Sequence, residues 1–142
     1  MIQRIQSIWL LLAGIAGALM YKLPLWQYKL ANQTTATSYF APESLLMLIL
    51  VVVTALLAFA AIFLFRNRGL QKSLCLLGTL LSVLILALEV FKVEDLKKTL
   101  VPVSNMWQIG ALMPVIMIIL FMLARGGISR DEKLIRSLER LR

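Results

Sequence analysis

Four long apolar runs, separated by short polar segments, dominate the pattern of this chain. They cover about residues 5–21, 45–65, 73–91 and 109–124. A helix needs roughly 17 to 25 apolar residues to cross the hydrocarbon core of a bilayer, and the fourth run can be lengthened by Met106 and Trp107. The runs do not alternate as barrel strands do, so their backbone hydrogen bonds must be made within helices. The pattern predicts an all-α integral membrane protein, a bundle of four transmembrane helices.

Composition supports this prediction and narrows the chemistry. The 142 residues are 61% hydrophobic and 15% charged, against about half and about a quarter in soluble domains. Cys75 is the only cysteine and there is no histidine, so the chain lacks an intrachain disulfide, a Cys-x-x-Cys site and the commonest general base. The acids are not clustered. We therefore predict no catalytic residue, no metal site and no cofactor, and a protein that is not an enzyme.

Basic residues orient the bundle. Ten of the fifteen fall in the N-terminus, the loop at residues 66–72 and the tail, and five fall in the other two loops. Cytoplasmic loops carry the excess of lysine and arginine, so both termini are predicted to be cytoplasmic. The prediction divides the chain into a transmembrane domain at residues 1–124 and a basic amphipathic cytoplasmic tail helix at residues 125–142.

The two outer loops differ in character. The first, at residues 22–44, has a threonine-rich centre between aromatic flanks and could form a short hairpin. The second, at residues 92–105, has apolar residues at helical spacing, which is typical of a short interfacial helix. Pro102 is expected to end that helix, and Ser104 is placed to cap the fourth transmembrane helix.

Glu89 is the only acid within a predicted span and lies near the outer end of the third helix. We expect its side chain to reach the headgroup region and to pair with Lys92, three residues later. Ionisable residues inside a membrane can also mark proton or ion paths, which is the alternative interpretation of this residue.

Small residues and one proline predict how the helices pack. Pairs of small residues four apart let helix backbones approach closely, either within the bundle or between subunits. Proline inside a helix removes a hydrogen bond, so a kink is expected in the fourth helix. The predicted packing positions are Ala13, Gly14, Gly17, Ala18 and Pro114.

The tail carries the most patterned polar sequence. Gly126 and Gly127 are expected to end the fourth helix, and Ser129 with Glu132 forms a capping box that would start a separate helix. At 100° per residue that helix has an apolar and a basic face. The predicted contact residues are Lys133, Leu134, Arg136, Leu138, Arg140 and Leu141. The tail could lie on anionic headgroups or under the bundle, or dock on a partner protein. Its mixed charge and lack of aromatic residues argue against nucleic acid.

Both ends of the chain resemble an uncharacterised four-span membrane family of Bacteroidota, a domain of unknown function. The resemblance rests on MIQRIQSIWL at the start and GISRDEKLIRSLERLR at the end. Members typically end in Asp-Arg-Leu-Arg, where this chain has Glu139 in place of the aspartate. The resemblance implies a bacterial inner membrane with periplasmic outer loops, and it brings no assigned activity, substrate or cofactor.

These features favour a non-enzymatic accessory or scaffold subunit of a bacterial inner-membrane complex. Candidate hosts are protein translocation, membrane-protein insertion and envelope biogenesis. Its partners would be membrane lipids and other inner-membrane proteins. The alternatives are a small oligomeric transporter or channel, which would need a pore at subunit contacts, and a lipid- or quinone-binding membrane protein.

Overall fold

Four helices long and apolar enough to cross a membrane make up most of the structure, a computed structural model that describes residues 3–32, 35–65 and 67–139. They are α1 (Gln3–Lys22), α2 (Leu45–Phe63), α3 (Arg68–Leu100) and α4 (Met113–Glu139). The four predicted helices are therefore confirmed, although the bounds of α3 and α4 differ from the predicted spans.

The helices form a ring in which each packs against two neighbours. Helices α1 and α3 each contact both α2 and α4, so the core lies between all four. Small residues bring α1 close to α2. A Cβ atom added to Gly14 would lie 2.9 Å from the Phe59 ring, and one added to Gly17 would lie 3.1 Å from the Cβ of Ala55. Ala13 is also buried, whereas Ala18 is exposed.

A three-stranded antiparallel sheet covers one end of the bundle. Its strands are β1 (Pro24–Lys29), β2 (Thr37–Phe40) and β3 (Ser104–Trp107), in the order β2-β1-β3. The predicted hairpin in the first loop is confirmed as β1 and β2. The third strand was not predicted, because it comes from a distant loop and pairs with β1 through long-range contacts.

Helix α3 is longer than predicted, and the predicted second outer segment is wrong in two respects. Residues 92–100 continue α3 rather than forming a separate interfacial helix, and Ser104 begins β3 rather than capping α4. The 33 residues of α3 extend about 50 Å at about 1.5 Å per residue, which exceeds a hydrocarbon core of about 30 Å. Helix α3 is therefore longer than one crossing needs, and its end lies at the level of the sheet, where Lys97 contacts Trp107.

The predicted break in α4 is also wrong. Gly126 and Gly127 lie within one continuous helix, neither has a positive φ angle, and Ser129 does not begin a new helix. A Cβ atom on Gly127 would lie 2.9 Å from the Cγ of Gln6, so this glycine permits a close approach to α1. Packing of the helix beyond the glycines, where Ile128 is buried, offsets their low helix propensity.

Pro114 does not kink α4, which corrects the last packing prediction. A short 3₁₀ turn at Ile109–Leu112 precedes the helix, so α4 begins only at Met113 and Pro114 occupies its first turn. The amides of the first turn have no partner within a helix, so proline removes no hydrogen bond there.

Candidate functional site

The buried acid of α3 is the most unusual group in the part of the chain that the structure describes. Glu89 is 1% exposed, and neither of its carboxylate oxygens has a hydrogen-bond partner. The predicted pairing with Lys92 is therefore wrong, and the side chain is buried in the bundle rather than exposed on its surface. Its neighbours along the same helix face, Ile85 and Val93, are fully buried, so the face that carries Glu89 points into the bundle.

The sheet lies at the same end of the bundle as Glu89, since Trp107 of β3 and Glu89 line one pocket. Trp26 lies in the central strand, opposite Tyr39 on one side and Trp107 on the other, and is itself fully buried. Its indole Nε1 also has no hydrogen-bond partner among the described residues. Burial raises the pKa of the Tyr39 phenol, and the Glu43 and Glu89 charges act in the same direction, so this phenol stays protonated at neutral pH.

A pocket of about 430 Å³ opens beside Glu89, between α3 and the chain that enters α4. Its lining residues are mostly apolar: Leu86, Glu89, Val90, Trp107, Gln108, Ile109, Ala111 and Leu112. Gln108 is positioned by the sheet, since its Nε2 donates to Gln27 Oε1 at 2.8 Å. The pocket therefore has an apolar opening and two polar side chains in its lining, the acid Glu89 and the amide Gln108.

A cation lies near the rim of this pocket, over Trp107. The Nζ atom of Lys97 is 5.5 Å from the centre of the Trp107 ring, a distance typical of a cation–π contact. The same ammonium donates to Glu94 Oε1 at 3.1 Å on the exposed side of α3. The rim thus presents a positive group on the outside and a carboxyl group within.

The buried carboxyl has a defined chemical capacity. Burying an unpaired ion costs several kcal/mol, so a carboxylate in such a place is normally paired with a cation or held neutral. An ionised Glu89 could accept hydrogen bonds from an ammonium group, whereas a protonated Glu89 could donate one to a neutral acceptor. The pocket has no second acid in its lining and gives no nucleophile–base pair.

The opposite end of the bundle holds paired polar side chains. Gln6 of α1 donates from Nε2 to Asp131 of α4, and both residues are buried. Lys72 of α3 forms an ion pair with Glu132 of α4. These contacts tie the C-terminal part of α4 to two other helices. They also place the start of α1 and the end of α4 at the same end of the bundle.

Of the six predicted tail contacts, the structure describes the side chains of two, and both are exposed. Lys133 is exposed, as is Leu134 at 52%, while Arg140 and Leu141 and the side chains of Arg136 and Leu138 lie outside the described residues. The tail residues that face the bundle were missed by the sequence prediction: Ile128 and Asp131. The sequence could have indicated them, because Ala124, Ile128 and Asp131 follow one another at intervals of four and three residues, which places them on the same buried face of α4.

Other candidate groups are placed as follows. Cys75 is buried within α3, among the helices. The residues that the structure describes contain no group of three or more His, Cys, Asp or Glu that could hold a metal ion.

Comparison with known proteins assigns a family and no activity. A family model described as a domain of unknown function (DUF4293) matches residues 2–141, which is almost the whole chain. No curated protein and no solved structure matches the chain.

Proposed function

The chain belongs to the family described as a domain of unknown function (DUF4293), and we propose that it is a non-enzymatic accessory or scaffold subunit of a bacterial inner-membrane complex. In this proposal the helices anchor the protein and the end of α4 contacts a partner protein. Protein translocation, membrane insertion and envelope biogenesis are the candidate processes, because each uses multi-subunit membrane assemblies.

The end of α4 is the observation that carries the proposal. The helix has 27 residues, about 40 Å at about 1.5 Å per residue, so roughly two turns extend past a hydrocarbon core of about 30 Å. On those turns Leu134 is 52% and Ile135 is 41% exposed, beside the exposed Lys133. Exposed apolar residues next to a basic residue, outside the hydrocarbon, suit a groove on a partner protein.

The contacts around Asp131 support the same proposal. Because Gln6 and Lys72 hold α4 from two sides, the turn that carries Leu134 is fixed relative to the bundle. A preorganised helix end loses less conformational entropy on binding than a free tail does. A contact surface of this kind therefore needs only a few apolar residues to bind a partner.

The proposal places both termini in the cytoplasm, on the basis of the positive-inside pattern. Cysteine labelling tests this placement. An impermeant maleimide added to intact spheroplasts should label Thr35→Cys, in the hairpin turn, and should label Lys133→Cys only after lysis. Cys75 is fully buried and serves as the unreactive background. Labelling of Lys133→Cys in intact spheroplasts would reverse the orientation.

Site-specific photocrosslinking in the native membrane tests the partner contact. A photoreactive phenylalanine analogue at Leu134 should give a discrete crosslinked protein that mass spectrometry identifies. The matched control is Leu80, an exposed apolar residue in the middle of α3, which should crosslink to lipid alone. Leu134→Asp should also lower recovery of the same protein on affinity purification.

One result counts against the scaffold function. If position 134 gives the same lipid adducts as position 80 and no protein adduct, the end of α4 lies on the bilayer surface. The anionic-headgroup interpretation of the tail would then replace the partner contact.

A further inference from the structure

We propose that the pocket beside Glu89 binds the headgroup of a membrane amphiphile that carries a primary ammonium group, with the acyl chains lying against the apolar mouth. This site is at the sheet end of the bundle, far from the end of α4. It is therefore independent of the partner contact proposed above, and either proposal can fail alone.

The unpaired carboxyl selects the headgroup. Both Glu89 oxygens lack a partner, and a primary ammonium offers three N–H donors together with the opposite charge. Hydrogen bonds that also carry charge are about twice as strong as neutral ones, so such a group would satisfy the acid best. In the structure the oxygens are closed to solvent, so binding requires the Glu89 side chain to turn toward the pocket.

The rim matches the remainder of a zwitterionic headgroup. Lys97 places a cation over Trp107, which lines the pocket, while Glu89 places an acid in its wall. A headgroup with an ammonium and a phosphate would find an opposite charge for each, the phosphate replacing the exposed Glu94 as the partner of Lys97. A simple monovalent cation would satisfy Glu89 but would leave the apolar mouth and the rim cation without a function.

The depth and lining of the pocket suit a lipid. Glu89 lies 21 residues after Arg68, about 32 Å along α3 at about 1.5 Å per residue. If Arg68 marks one edge of the hydrocarbon core, Glu89 lies close to the other edge, where headgroups begin. Ile109 and Leu112 are exposed at the mouth, so acyl chains can continue from the pocket along the bundle surface.

Lipid-dependent quenching of Trp107 tests the proposal in the full-length protein. The Trp9→Phe protein is reconstituted in phosphatidylcholine with increasing fractions of a lipid that carries brominated acyl chains. The brominated lipids are phosphatidylethanolamine, phosphatidylglycerol and phosphatidylcholine, each in a separate series. Bromine quenches at short range, so Trp107 at the mouth reports occupancy. A protein with both Trp9→Phe and Trp107→Phe retains only the buried Trp26 and gives the background to subtract. The ethanolamine lipid should reach half-quenching at a mole fraction about tenfold lower than the other two.

Two variants and a matched control separate the acid from the pocket. Glu89→Gln should abolish the preference for the ethanolamine lipid. Asp95→Asn removes an exposed carboxylate six residues along the same helix and should keep the preference. Ala111→Phe fills the pocket while leaving the acid in place, and should weaken quenching by all three lipids.

Three outcomes would overturn the proposal. Equal quenching by the three lipids would show that no headgroup is recognised. An unchanged preference in Glu89→Gln would show that the acid does not contact the ammonium. A proton or sodium flux in proteoliposomes that Glu89→Gln abolishes, with lipid preference unaltered, would assign the acid to an ion path instead.

Discussion

Two adjacent glycines in α4 allow a sharp test of the structure, because an alanine at each position should have opposite effects. An added Cβ atom at Gly126 meets no atom within 4 Å, whereas one at Gly127 lies 2.9 Å from the Cγ of Gln6. Both glycines are inside a continuous helix. Replacing glycine by alanine in a helix interior stabilises by about 1 kcal/mol. Gly126→Ala should therefore raise the free energy of unfolding by about that amount.

At Gly127 the same gain is opposed by a contact. Gln6 must move away from the new methyl group, and its amide donates to the buried Asp131, whose other oxygen already has no partner. Losing a hydrogen bond to a charged group costs about 1.5–3 kcal/mol. The expected net effect of Gly127→Ala is a loss of about 0.5–2 kcal/mol.

Unfolding of the purified protein in mixed micelles of rising dodecyl sulfate content, followed by far-ultraviolet circular dichroism, measures both changes. The two variants control for each other, since they differ by one position in the same helix. A loss of 1 kcal/mol or more in Gly126→Ala would refute the reasoning. It would indicate a left-handed glycine that ends the helix, because alanine is penalised in that conformation.

Three further predictions can be measured in the same unfolding assay. Gly78→Ala should destabilise by about 1–3 kcal/mol, because its Cβ atom would lie 2.6 Å from the buried Phe121 ring; an unchanged stability would mean that α3 and α4 are farther apart. A double-mutant cycle on Lys72 and Glu132, both about a quarter to a third exposed, should give a coupling of about 1 kcal/mol or less that falls with added salt. Val101→Gly should stabilise by about 1 kcal/mol, since this exposed valine has a φ of 44° at the end of α3 and loses little packing; destabilisation would place it outside the left-handed region.

The parts of the fold that the sequence predicted depend on local pattern. Transmembrane helices are recognisable because an apolar run must be long enough to cross the bilayer, whatever it packs against. The hairpin of β1 and β2 also follows from a single loop. These features need no knowledge of contacts between distant residues.

The features that were missed depend on such contacts. Strand β3 forms because residues 104–107 pair with β1, almost eighty residues earlier. The glycines of α4 resemble a helix end in sequence, and only the approach of Gln6 shows why the helix continues. The position of Glu89 along α3 could be read from the sequence, but its burial follows from which face of α3 packs into the bundle, where Ile85 and Val93 are also buried.

The polar groups at one end of the bundle are paired with each other, whereas the buried acid at the other end has no partner. At the end that holds the termini, Gln6 satisfies one oxygen of Asp131 and Lys72 pairs with Glu132, so these groups fix the helices that carry them. At the sheet end, Glu89 has no such partner, and an unpaired buried acid destabilises the fold unless a ligand satisfies it. Replacing the first kind of group should loosen the bundle. Replacing Glu89 by glutamine should leave the bundle as stable or more stable while removing its ligand, which is the behaviour of a residue retained for binding.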